Sequence, residues 1–163
     1  MKLSEYIEKY GDCEVTDEID KCIVKEPKTV YDLKYGDRYF FLTASGIIQG
    51  AFWHDDISDH NRLSIGNISL TEEAAEFARE RLKVITELKR YAKEFSDEEW
   101  AQNNCVQKCY IYYNLSTGKL FANYNCEVSY GNQLLFESGE KAQKAIDAIG
   151  EERIKKYYFG VKE

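Results

Sequence analysis

The chain has one proline, one methionine, two histidines and no tract rich in glycine and serine. With Pro27 as the lone proline and no such tract, no stretch reads as a linker. Its 163 residues therefore make one domain, or two small halves that share a core. The aromatic fraction of 14% excludes a disordered chain, because that much ring surface collapses into a core. The five cysteines, Cys13, Cys22, Cys105, Cys109 and Cys126, are odd in number and include no Cys-x-x-Cys pair. Cys105 and Cys109 lie four apart, but a zinc site wants further Cys or His at matching spacing, so reduced and mostly buried thiols are expected. No apolar run approaches the roughly 18 residues of a membrane span. The opening Met1-Lys2-Leu3-Ser4-Glu5 lacks the apolar run of a signal peptide, so none is expected, and the expected location is the cytoplasm. Positive charge is in deficit too: 22 Lys and Arg face 29 Asp and Glu, a net charge of −7. That disfavours general nucleic-acid binding, which needs a basic footprint, and is compatible with a basic protein partner.

What is present is a regular alternation of strands, turns and capped helices. At the N-terminus, Leu3, Ile7 and Tyr10 share a helical face, and Thr16 caps a second helix with acids in its first turn. Residues 1–33 are read as a helical arm ending near Pro27. The first unit, residues 34–95, opens after Gly36-Asp37 with the aromatic strand Arg38 to Thr43. Ala44-Ser45-Gly46 turns it and Ile47 to Trp53 returns it. His54 to Asn61 reads as a polar loop and Arg62 to Ile65 as a short strand. Gly66-Asn67 then turns into Ile68-Ser69-Leu70. Thr71 caps a long helix, Glu72 to about Glu94, whose stripe of Ala75, Ala78, Leu82, Ile85 and Leu88 predicts a buried face. Glu76 with Arg79, Glu80 with Lys83 and Glu87 with Arg90 are spaced as surface pairs.

Ser96-Asp97-Glu98-Glu99 is a capping box opening a short connector, residues 96–107. The second unit, residues 108–163, repeats the order. Lys108 to Tyr113 is a strand and Ser116-Thr117-Gly118 a turn. Leu120, Ala122, Tyr124, Cys126 and Val128 then alternate with polar or outward positions, which predicts one core-facing side. Gly131-Asn132 turns into Leu134-Leu135-Phe136, Ser138 caps a helix with Ala142, Ala145, Ile146 and Ile149 inward, and Gly150 ends it. Tyr157-Tyr158-Phe159 is expected to pack back. The fold class is α+β: two β-hairpin-plus-helix units packed together, with an N-terminal helical arm.

Metal-capable residues crowd only in Trp53-His54-Asp55-Asp56-Ile57-Ser58-Asp59-His60. His54, Asp56, Asp59 and His60 carry the donors of a mixed nitrogen and oxygen site. The alternative is a polar loop in which Asp56 or Asp59 caps a turn or pairs with Arg62. There is no third histidine to complete a hydrolase centre, so the second reading is preferred and no metal is expected. The chain has no Gly-x-Ser-x-Gly elbow and no phosphate-cradling glycine loop, and its dense acidic clusters sit where helix starts explain them. No catalytic residue and no cofactor are expected; the protein is read as a non-enzyme. Thirteen tyrosines suit a protein interface, and Trp53, Asp55, Asp56 and Asp59 are the expected partner-binding residues. Nucleic-acid or nucleotide-signal binding is the alternative, suggested by Tyr39-Phe40-Phe41 and Tyr110-Ile111-Tyr112-Tyr113 and weakened by the few cations beside them.

The chain resembles a family of small proteins encoded in phages and prophages of Firmicutes. The resemblance rests on Leu3 to Gly11, on Gly36-Asp37-Arg38-Tyr39-Phe40, and on Trp53 with Asp59 and Arg62. It continues through Gly66, Asn67 and Thr71 to Ala74, and through Phe136-Glu137-Ser138 and Ala145 to Tyr157. These motifs are turns, caps and core positions, and they transfer no catalytic or binding residue. The resemblance implies an accessory protein acting inside a bacterial cell. Acidic proteins of that kind are often inhibitors of host defence, CRISPR nucleases included, that occupy a basic nucleic-acid or protospacer-adjacent-motif site. The expected function is therefore an anti-CRISPR-like inhibitor that binds a nuclease or another basic partner.

Overall fold

The computed structural model describes residues 29–93, 107–125 and 134–162. The N-terminal helices, the capped connector carrying Trp100, and the Gly131-Asn132 turn lie outside the described residues, as do Cys13, Cys22, Cys105 and Cys126. Within them the fold is α+β. A two-stranded antiparallel sheet pairs β1 (Arg38–Leu42) with β2 (Ile48–Phe52), in the register Arg38 to Phe52 and Leu42 to Ile48. A three-stranded antiparallel sheet has the order β4-β3-β5, from β3 (Lys108–Asn114), β4 (Lys119–Asn125) and β5 (Leu135–Phe136). The helices are α1 (Ile57–Ser64), α2 (Glu72–Lys89), α3 (Gly139–Ile149) and α4 (Glu151–Arg153), the last running on into a π-helical turn, Ile154–Tyr158.

The two units are built alike. In each, the third short segment joins the first strand of the hairpin. Leu135 and Phe136 pair with Tyr110 and Cys109, and Ser69 bridges Phe40 through two backbone hydrogen bonds of 2.8 Å. The Gly66-Asn67 turn does more than reverse the chain. Gly66 takes a left-handed φ of 70°, which a side chain would strain, and this places Asn67 beside β1. The Asn67 side chain then accepts from the Leu42 amide and donates to the Leu42 carbonyl, both at 2.8 Å, extending the ladder past its last strand residue.

The segment expected to be a polar loop and a strand is instead the helix α1. Asp56 is its N-cap and accepts from the Ser58 and Asp59 amides. Asp59, three positions on, reaches back to the Asp56 amide and completes a capping box built from two aspartates. Periodicity alone missed it because α1 is eight residues long and buries Asp59 rather than an apolar stripe.

Two hydrophobic clusters form. Tyr39, Trp53 and Ile68 make the smaller one, with Val30, Leu33, Phe41, Ala51 and Leu63 against it. The larger one takes Cys109 and Ile111 from β3, Phe136 from β5, Ala142, Ala145, Ile146 and Ile149 from α3, and Ile154 from the π-helical turn. Val84 and Leu88 of α2 also lie in this larger core. The helix read as the cover of the first unit thus gives its C-terminal half to the second, while it also touches β1 and β2. The predicted stripe shifts accordingly: Ala75 and Leu88 are buried, Val84 replaces Leu82, and Leu82 is 56% exposed. On β4, Leu120 and Ala122 face the core as expected, whereas Tyr124 is exposed and its hydroxyl accepts from the Gly139 amide at 2.7 Å. Tyr157, Tyr158 and Phe159 pack back on the larger core. Glu87 pairs not with Arg90 but with Arg153, through two hydrogen bonds of 3.0 and 3.1 Å, tying α2 to α4.

Candidate functional site

The residues expected to bind a partner divide by burial. Trp53 and Asp59 are 5% and 2% exposed, so a partner cannot reach them. Asp55 and Asp56 are exposed. The reason is the way α1 folds onto β1. The Asp59 carboxylate accepts from the Tyr39 hydroxyl at 2.6 Å and from the His54 amide at 2.7 Å, with Arg62 at 3.7 Å. Arg62 donates to the Tyr39 hydroxyl at 2.5 Å and lays its guanidinium 3.9 Å from the centre of the Phe41 ring. Burial is the largest single influence on Asp59 and pushes its carboxyl up. The Tyr39 hydroxyl, the His54 and Asp56 amides and the Arg62 charge together outweigh it and hold the group below the usual aspartate value. The same burial, with the Asp59 carboxylate as acceptor, raises the Tyr39 phenol. This cluster is a load on the fold that has been fully paired, and it fixes the position of Phe41.

The two histidines do not converge. The His54 ring tilts against Tyr35, and the His60 ring meets Trp53 edge-on while its Nε2 pairs with the Asp55 carboxylate at 2.9 Å. Asp55 has a φ of 61°, a conformation aspartate tolerates better than most residues. Among the described residues no group of three or more His, Cys, Asp and Glu side chains is placed to hold a metal ion. Cys109 is fully buried, and burial raises its thiol pKa, so the thiolate is suppressed. No helix among the described residues is long and apolar enough to cross a membrane.

The concavity that the sequence did not announce lies between α2 and the first hairpin. It is an open groove of about 1070 Å³. One wall is the end of β1 with its turn, Phe41 to Gly46, and the Ile65–Ser69 segment. The other wall is α2, from Ala75 to Arg90. Ala78, Leu82 and Ile85 give this wall an apolar stripe, and Ile65, 76% exposed, faces the same space. Four cations line it, Arg79, Arg81, Lys83 and Arg90, against one carboxylate, Glu87, which Arg153 already holds. Lys83 and Arg79 share Glu80, at 2.7 and 3.5 Å. Arg79 Nε is buried without a hydrogen bond. Arg81 and Arg90 have no carboxylate partner among the described residues.

The apolar stripe of α2 predicts a buried face, and part of that stripe instead lines this groove. Leu82 sits on the apolar stripe of α2 because it points to one continuous face; the hairpin covers only part of that face, and the rest is left open. No protein-family model, curated protein or solved structure matches the chain.

Proposed function

We propose that the protein is a non-enzymatic binding protein: an accessory protein of phage or prophage origin that acts in the bacterial cytoplasm by occupying a component of host defence, with a CRISPR nuclease as the candidate class. The groove along α2 carries the binding part of this reading. Its apolar stripe ends in open solvent at Leu82 and Ile65, and exposed apolar surface rimmed by charge is what a docking site presents. The setting rests on the resemblance of the sequence. The net charge of −7, with Asp55 and Asp56 exposed, adds long-range attraction toward a basic surface. The test is a cleavage assay over a panel of purified CRISPR nucleases. Substoichiometric to equimolar protein should suppress cleavage by at least one, more strongly at low salt; unchanged cleavage across the panel overturns the reading.

A second reading, nucleic-acid or nucleotide-signal binding, is favoured by the cations Arg79, Arg81, Lys83 and Arg90 around the same groove. It predicts a rise in melting temperature with a nucleotide or an oligonucleotide, and a retarded band in a gel-shift assay. The first reading predicts neither.

A further inference from the structure

We infer that the groove between α2 and the first hairpin receives an acidic amphipathic helix of a protein partner. The inference rests on the binding reading above and specifies the chemistry of the partner segment.

Charge sets the sign. The chain as a whole is acidic, yet the groove is lined by four cations, of which Arg79 and Lys83 share Glu80 and Arg81 and Arg90 have no carboxylate partner among the described residues, and by one carboxylate that Arg153 holds. Screening limits electrostatic reach to about 8 Å at physiological salt, so a docked segment feels the charges at the groove more than the acids elsewhere on the chain. The groove thus selects a partner segment opposite in sign to the surface that the net charge attracts. Arg81 and Arg90 are exposed and have no carboxylate partner among the described residues, so they are available to pair across an interface.

Shape sets the helix. The α2 wall runs from Ala75 to Arg90, a length of roughly 22 Å at the helical rise, or about four turns. Its apolar residues Ala78, Leu82 and Ile85 recur at spacings of four and three. That ridge meshes with a partner whose apolar residues recur at the same spacing, as in helix-in-groove recognition. A nucleic-acid strand fits less well. Binding of a single strand relies on exposed ring faces for stacking. Phe41 is the aromatic residue lining the groove, and the Arg62 guanidinium covers its ring at 3.9 Å.

The experiment uses the full chain and fluorescence anisotropy with labelled peptides of about 16 residues, matched to the groove length. One peptide carries leucine on one helical face and glutamate on the other; a second has lysine in place of glutamate; the third probe is a single-stranded oligonucleotide. The acidic peptide is expected to bind and the basic one not. Arg81→Glu combined with Arg90→Glu should weaken binding by about tenfold or more and remove most of its salt dependence. Leu82→Ser, which removes apolar contact and adds no charge, should weaken it without changing the salt slope. Lys144→Glu, on the exposed face of α3 outside the groove, should leave it unchanged. Circular dichroism of each variant checks that the surface changes leave the fold intact. Failure of the acidic peptide to bind the wild-type chain, or equal binding to the groove variants, overturns the inference. Preferential binding of the oligonucleotide replaces it with the nucleic-acid reading. Tighter binding of a peptide of residues 12–26 of this chain, which is itself acidic, replaces the partner with the protein's own sequence. Nuclease inhibition that survives the groove variants leaves the binding reading standing and removes only this assignment.

Discussion

Asp59 is a carboxylate in a place where a carboxylate is costly. It is held by the Tyr39 hydroxyl, two backbone amides and Arg62, and its removal leaves those donors facing a void. Asp59→Ala should destabilise the protein by about 3 kcal/mol in urea denaturation, because a buried charge network loses its centre. The lowered Asp59 pKa gives the sign of the acid response. Its contribution is complete above the pKa of an unfolded aspartate, about 3.9, and is lost as pH falls through the lower folded value. Tyr39, with its raised phenol, acts at the other end: its contribution is complete below about pH 10 and is lost as pH rises through the folded value. Tyr39→Phe should therefore cost about 2 kcal/mol at neutral pH and flatten the alkaline arm of the stability curve. A pH titration of the urea midpoint reads both arms; an unchanged alkaline arm in Tyr39→Phe counts against this assignment.

Among the elements, caps and close approaches decide more than propensity. Asp56→Ala should cost about 1 kcal/mol, since the Ser58 and Asp59 amides lose their acceptor at the start of α1. At the start of α3, a Cβ on Gly139 would come within 2.5 Å of the Tyr124 hydroxyl oxygen. Gly139→Ala should be destabilising, and Tyr124→Phe should relieve much of that loss because the obstructing oxygen is gone. A double-mutant cycle by thermal melting, with a coupling of about 1 kcal/mol, checks this; additive effects argue against the contact. The N-caps at Thr71 and Ser138 were visible in the sequence because a cap is a local event, a side chain bonding an amide two or three residues on. The helix α1 was not, because its inward residue is an aspartate, whose burial depends on a tyrosine twenty residues away as well as on local amides and Arg62.

For the molecule as a whole, α2 is the shared part. It lies against β1 and β2 and gives Val84 and Leu88 to the core built by β3, β5 and α3. The Arg153–Glu87 fork adds a polar tie between α4 and the same helix. Unfolding should therefore be one cooperative transition rather than two. Leu88→Ala, which empties a side chain that is 1% exposed, should cost about 2 to 5 kcal/mol. It should lower the urea midpoint equally when followed by tryptophan fluorescence and by far-ultraviolet circular dichroism. Non-coincident curves would mean that the two units unfold separately.

The strands, turns, caps and α+β class were legible in the sequence because each depends on neighbours along the chain: alternation over β4, Gly66 at a left-handed turn, Thr71 and Ser138 before their helices. The burial of the expected binding residues was not legible. Trp53 and Asp59 look like surface residues until α1 folds onto β1, where Tyr39 and His60 pack on the Trp53 ring and Tyr39 and Arg62 pair with Asp59. Nor was the groove. The same apolar stripe on α2 buries Leu88 and exposes Leu82, and only the placement of the hairpin against the helix decides where core ends and surface begins.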